Sequence, residues 1–130
     1  MTAGAAILIV EDNPRNLKLV RDVLGSAGFR TLEAGTAEDG VVIARERRPD
    51  LVLMDVGLPG MDGVQALACL RADAATAAIP VVALTAFAMK DDRERFLAAG
   101  FDGYLEKPIS VRDLPGQVAA LLTDCARARA

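Results

Sequence analysis

Apolar residues gather in five short runs, Ala6-Ile7-Leu8-Ile9-Val10, Phe29-Arg30-Thr31-Leu32-Glu33, Leu51-Val52-Leu53-Met54, Pro80-Val81-Val82-Ala83-Leu84 and Phe101-Asp102-Gly103-Tyr104-Leu105. The first, third and fourth are apolar on both faces, the pattern of strands buried between two layers, whereas the second alternates and reads as an edge. Between the runs lie segments with helical periodicity and helix punctuation. Asn13-Pro14 supplies a cap and a first-turn proline, Leu17, Val20 and Leu24 form an apolar stripe, and Gly25 and Gly28 mark the stop. Thr36 caps a second helix that runs through Arg47. A third begins near Gly63 with Val64 and Leu67 inward, a fourth covers Lys90 to Ala99 before Gly100, and a last presents Val118, Leu121, Leu122 and Cys125. Strand and helix alternate five times. This predicts the α/β class, with a five-stranded parallel sheet, doubly wound by right-handed crossovers into a three-layer sandwich.

Two helices carry signs of weakness. Lys90-Asp91-Asp92-Arg93-Glu94-Arg95 is continuously polar, which leaves mainly Phe96 and Ala99 to hold the fourth helix to the core. If Ser110 caps the last helix, Pro115 removes a hydrogen bond inside its first turns and Gly116 adds roughly 1 kcal/mol of cost. Either the helix starts late or its first turn is distorted.

Length and charge narrow the class. The 130 residues are 52% hydrophobic and 25% charged, the balance of one globular domain, with 15 Lys and Arg against 18 Asp and Glu for a formal charge of −3. No basic run exceeds Arg47-Arg48, so the chain has no footprint for direct nucleic-acid binding. There is no histidine, and Cys69 and Cys125 lie far apart, which argues against zinc and histidine chemistry. The first apolar run is too short to insert in a membrane and follows no signal-like basic segment, so a cytoplasmic chain with reduced thiols is expected. The domain is expected to have its core at about 5–122, a frayed tail at 124–130 and no effector domain.

In an open parallel sheet, ligands collect at the carboxyl ends of the strands, beside the point where strand order reverses. Here those ends carry Glu11-Asp12 after the first strand, Asp55 at the third, Thr85 at the fourth and Lys107-Pro108 after the fifth. Three carboxylates in one cleft repel one another, and one lysine does not balance them. A divalent cation does. An oxygen-only ligand set selects a hard ion, and few protein ligands with room for water suit Mg²⁺, with Mn²⁺ as a substitute. Asp12 and Asp55 are the expected inner ligands, with Glu11 bound directly or through water, and the backbone carbonyl of Gly57 as a further ligand. A metal beside a strand-end carboxylate, with a lysine and a threonine, suits phosphoryl transfer to that carboxylate. Asp55 is the expected acceptor. Mg²⁺ and Lys107 would neutralise phosphoryl oxygens, and the Thr85 hydroxyl would bind one. Singly, these residues have plainer readings: Asp12 as a cap neighbour, Asp55 as a loop cap, Thr85 as a turn residue, Lys107 as a solvated charge and Tyr104 as core. Their convergence on one rim is what departs from chance.

The runs Ile7-Leu8-Ile9-Val10-Glu11-Asp12-Asn13, Asp50-Leu51-Val52-Leu53-Met54-Asp55 with Leu58-Pro59-Gly60-Met61-Asp62-Gly63, Leu84-Thr85-Ala86 and Lys107-Pro108 resemble those of response-regulator receiver domains, a flavodoxin-like fold, over roughly residues 5–122. The resemblance implies that Glu11 and Asp12 bind Mg²⁺ and that Asp55 is phosphorylated by a histidine kinase or phosphotransfer protein. It makes Thr85 and Lys107 the switch and phosphate-sensing residues, Tyr104 the switch aromatic, and Lys107-Pro108 the family's cis proline position. The stretch from Thr85 to Lys90, with 98–104 and 106–110, is most similar to stand-alone regulators of the DivK type and to receivers of hybrid kinases. That similarity suggests a cell-cycle or polarity role exerted on a downstream protein in trans.

Two other functional classes compete. An Mg²⁺-dependent phosphohydrolase with an aspartyl-phosphate intermediate needs an acid two residues after its nucleophile, where this chain has Gly57. A constitutive interaction module would not need all five active-site residue types. The chain is therefore expected to act as a phosphoacceptor with slow self-dephosphorylation and not as an enzyme, Gly57 opening one approach for water and Phe87 restricting another.

Overall fold

The computed structural model describes residues 4–56, 63–85, 90–107 and 109–129, with 90–93 and 124–129 described by backbone alone. Strands β1 (Ala6–Val10), β2 (Arg30–Ala34), β3 (Leu51–Asp55), β4 (Val81–Thr85) and β5 (Gly103–Glu106) alternate with helices α1 (Pro14–Ser26), α2 (Ala37–Arg47), α3 (Gly63–Ala72), α4 (Lys90–Ala99) and α5 (Leu114–Arg129). All neighbouring strands pair in parallel, in the order β2-β1-β3-β4-β5. The chain runs outward from β1 to β2 and then crosses back to β3, so the order reverses between β1 and β3. Val10 there pairs with Met54, which sets the next residue of each strand, Glu11 and Asp55, side by side.

Alternation along the strands sorts the core into two layers. Ile7, Ile9, Leu51, Leu53, Val82, Leu84 and Leu105 pack with Val20 and Leu24 of α1 and with Leu114 and Val118 of α5. Leu8, Val10, Val52, Met54, Val81 and Ala83 pack with Val41 and Ala44 of α2, Ala66, Leu67 and Leu70 of α3, and Phe96 of α4. The expected three-layer sandwich follows directly. On the second side α2 comes so close that a Cβ on Gly40 would lie 2.7 Å from Val10 Cγ2, which leaves space only for glycine.

The helix caps agree with the sequence. Asn13 Oδ1 accepts from the Arg15 and Asn16 amides with Pro14 in the first turn, and Thr36 caps α2 by accepting from Asp39 N. Several details differ. Helix α1 passes through Gly25 to Ser26, and the left-handed residue after it is Gly28, at φ +95. Val64 is 44% exposed, because the buried positions of α3 are Gly63, Ala66, Leu67 and Leu70 and residue 64 falls off that stripe. Ala99 is exposed as well, so among the described side chains of α4 Phe96 is the buried one.

The fifth strand begins at Gly103, two residues later than the apolar run suggested. Phe101 is buried ahead of it with its ring edge-on to Phe96 at 5.9 Å. Asp102 fixes the offset: its amide donates to Val81 O at 2.8 Å, and its Oδ2 accepts from Val81 N at 2.8 Å. Arg71, at the end of α3, donates to the same Oδ2 at 2.7 Å and to the carbonyls of Ile79 and Gly100. Helix α5 starts late, at Leu114, after a turn in which Ser110 Oγ accepts from Asp113 N at 3.2 Å. Pro115 thus sits in a first turn, where a missing N–H is tolerated. The side chain of Cys125 and residues Gly57, Phe87 and Pro108 lie outside the described residues.

Candidate functional site

The rim at the carboxyl end of the sheet is assembled by strand pairing. Val56 N donates to Leu84 O at 3.2 Å and Lys107 N to Thr85 O at 2.8 Å, which brings the ends of β3, β4 and β5 level. Glu11 N donates to Ala34 O at 3.0 Å and extends β1 by one residue along β2. At this end a Cβ on Gly63 would lie 2.9 Å from Val56 Cα, so the glycine lets α3 begin against the end of β3.

Glu11, Asp12 and Asp55 each place a carboxylate oxygen so that the three lie within 4.8 Å of one another. Glu11 and Asp55 are buried, at 1% and 7% exposure, and Asp12 is exposed. The Lys107 ammonium enters between the buried pair, 2.8 Å from Asp55 Oδ2 and 3.1 and 3.2 Å from the two oxygens of Glu11. The electrostatics follow from this crowding. Burial, with the Asp55 carboxylate alongside, pushes Glu11 up from 4.5 to about 7 even though Asn16 and Lys107 donate to it. Burial also works against the Lys107 charge, but its bonds to Asp55 and Glu11 outweigh that effect and its pKa is raised.

All four residues expected at strand ends 1, 3 and 5 therefore meet. Thr85 is buried at the end of β4. Tyr104, paired in register with Ala83, is half-buried against the α2–α3–α4 layer. By the same alternation Thr85, two residues after Ala83, belongs to that layer too. The Gly57 carbonyl lies outside the described residues.

One member of the site was not expected. Asn16 Nδ2 donates to Glu11 Oε1 at 2.9 Å. The sequence carried a signal for it: with Asn13 as cap, residue 16 is the third of the helix, a position whose side chain can fold back past the cap toward the preceding strand.

The donor set fits a hard divalent ion. It is all oxygen, carries three formal negative charges against the one of Lys107, and has one exposed ligand, Asp12, through which water can reach it. Among the described residues no helix is long and apolar enough to cross a membrane.

Comparison with known proteins agrees with this geometry. The family model of the response regulator receiver domain matches residues 7–119. The polar-differentiation response regulator DivK of Brucella anthropi is 44% identical over 106 residues, 82% of this chain and 86% of its own. The receiver domain of a sensor histidine kinase from Pseudomonas aeruginosa is 37% identical with a TM-score of 0.84, over 93% of this chain and 99% of its own. Its crystal structure has a magnesium ion coordinated in the active-site cleft. The chemotaxis response regulator CheY4 of Vibrio cholerae shares the fold at a TM-score of 0.86 and 24% identity, over 92% of this chain and 99% of its own. With the family match across most of its length and relatives above 40% identity, the chain belongs to the response regulator receiver domains of two-component signalling.

Proposed function

We propose that Asp55 accepts a phosphoryl group from a histidine kinase or a phosphotransfer protein, and that the phosphorylated domain presents an altered surface to a downstream protein. One observation carries this reading: a buried strand-end carboxylate stands 2.8 Å from a lysine ammonium inside a cluster of three carboxylates. Glu11, Asp12 and Asp55, with the Gly57 carbonyl, would hold Mg²⁺ or Mn²⁺. When bound, the ion supplies positive charge to the phosphoryl oxygens and offsets the repulsion between them and the carboxylates.

The chain's own groups account for the remaining steps. An Asp55 carboxylate oxygen attacks phosphorus in line with the donor histidine nitrogen. The O–P bond forms as the N–P bond breaks, and the donor imidazole leaves and takes up a proton. Lys107 already points at Asp55 and would follow charge onto the new phosphoryl oxygens. Thr85, at the neighbouring strand end, would bind one of them through its hydroxyl. The phosphoryl group adds roughly −2 charge and three acceptor oxygens, which draws Thr85 inward and lets Tyr104, on the same layer, follow.

Helix α4 lies beside that layer with one buried anchor among its described side chains, so α4, β5 and α5 form the surface that would change. Leu97, on α4, is 49% exposed. By its likeness to the Brucella polar-differentiation regulator, we place the output in a protein–protein contact of a cell-cycle or polarity pathway. Gly57 in place of an acid two residues after Asp55 favours slow self-dephosphorylation over turnover of phosphoesters.

Incubation with acetyl phosphate and Mg²⁺, read by intact mass, tests the proposal. Wild type gains one phosphoryl group, and neither Asp55→Ala nor wild type with chelator does. An adduct that survives Asp55→Ala overturns the acceptor, and turnover of many phosphoester equivalents favours the hydrolase instead.

A further inference from the structure

Asn16 is tied to the site by two bonds of different kinds. Its backbone amide is held at 3.4 Å by the Asn13 cap, so the residue is fixed in the first turn of α1. Its side-chain amide donates to Glu11 Oε1 at 2.9 Å. That same oxygen accepts from Lys107 at 3.1 Å, whereas the second oxygen, Oε2, accepts from Lys107 at 3.2 Å. Glu11 thus has one oxygen gripped from two directions, by α1 on one side and by the residue after β5 on the other.

The chemical type of the donor matters. A glutamate has three side-chain torsions, and with Lys107 as its partner alone it would follow that flexible ammonium wherever the ammonium moved. An arginine or lysine at residue 16 would fix Glu11 but cancel charge that a cation needs. An aspartate there would repel Glu11. A neutral amide on a rigid helical turn orients the carboxylate and leaves its charge intact, as groups that hydrogen-bond metal ligands from behind do in metal sites generally.

We propose that Asn16 is a positioning residue for the divalent-cation site, holding the Glu11 carboxylate turned toward Asp55 when Lys107 is drawn away toward a phosphoryl group. The inference rests on the reading of Glu11, Asp12 and Asp55 as the cation site.

The test uses Mn²⁺ binding to the full chain without phosphodonor, followed by water-proton relaxation, which reads dissociation constants into the millimolar range. Asn16→Leu, similar in shape and without a donor, is expected to weaken Mn²⁺ binding about tenfold, the lower end of what loss of such a partner costs. Asn16→Ala serves as a second variant should the leucine disturb folding. In a Glu11→Ala background the same substitutions are expected to change affinity less than about twofold, because Asn16 acts through Glu11. Unchanged affinity in Asn16→Leu and Asn16→Ala overturns the inference, and so does equal weakening with and without Glu11, which would mark a general effect on α1. If wild type fails to bind Mn²⁺, or if Asp12→Ala and Asp55→Ala bind as wild type does, the cation site itself falls and this inference with it.

Discussion

Phe96 holds α4 to the core, and Phe96→Ala measures how separate that helix is from the rest of the domain. The ring is 4% exposed, edge-on to Phe101 at 5.9 Å with the Arg95 guanidinium 5.4 Å from its centroid, while Glu94, Arg95, Leu97, Ala98 and Ala99 are exposed. Burying a phenylalanine side chain stabilises by about 1.5–3 kcal/mol, and an edge-to-face pair adds about 0.5–1.5 kcal/mol. A well-anchored Phe→Ala in a core loses about 3–5 kcal/mol in global stability. A helix with one buried anchor among its described side chains behaves differently: once the loss exceeds what holds α4 down, the helix opens by itself and the rest of the domain loses nothing more. Global stability from urea unfolding is therefore expected to fall by less than about 3 kcal/mol. Amide exchange in α4 should lose about two decades of protection, since each 1.36 kcal/mol is tenfold, while β1 and β3 amides follow only the global change. A global loss above about 4 kcal/mol with α4 protection intact would refute the reasoning and show α4 bound to the core by more than Phe96.

Two further outcomes follow. Glu11 titrates near 7 in the fold and near 4.5 as its ordinary value, so the folded, metal-free protein binds the extra proton and its stability falls as pH rises from about 4.5 to 7. Urea midpoints measured in chelator across that window should slope downward for wild type and flatten in Glu11→Gln; a flat wild-type profile contradicts the burial argument. Arg71 donates to Ala77 O, Ile79 O, Gly100 O and Asp102 Oδ2 at 3.1, 2.6, 3.2 and 2.7 Å, so Arg71→Met leaves a half-buried carboxylate and several carbonyls short of a donor. A loss of about 2–4 kcal/mol in thermal or urea unfolding is expected, and a loss below about 0.5 kcal/mol would mean that water replaces the guanidinium without penalty.

The frame of the molecule was legible because buried parallel strands and capped helices write strong local signals. The apolar runs at 6–10, 51–54 and 81–84 and the caps at Asn13 and Thr36 are visible residue by residue. The site was legible for a related reason: a charge at the end of an apolar strand has to lie at the rim, and all three such strand ends lead to the same rim. What stayed hidden depended on partners distant in sequence. The start of β5 is set by Asp102 bonding to Val81, so an apolar Phe101 that looked like strand became a loop residue packed on Phe96. Val64 looked inward because it is apolar, but the stripe of α3 is fixed by Gly63 against Val56. For Asn16 the spacing from the Asn13 cap shows only that its side chain can reach back toward β1; the bond itself depends on Glu11 being buried and turned toward it.

The same contacts tie the rim to α4. Strand β5 has four residues and lies at the sheet edge, where pairing on one side alone would leave it free to shift. It is pinned at both ends. At its amino end Asp102 joins Val81 and Arg71, and at its carboxyl end Lys107 N meets Thr85 O at 2.8 Å. A pull on the Lys107 ammonium would therefore reach a strand whose middle carries Tyr104 and whose approach carries Phe101, the ring against which Phe96 packs edge-on. With Arg71 bound to both Asp102 and the Gly100 carbonyl, the loop between α4 and β5 would resist such a pull, and on the proposed function the displacement would be taken up at α4, whose buried anchor among the described side chains is Phe96.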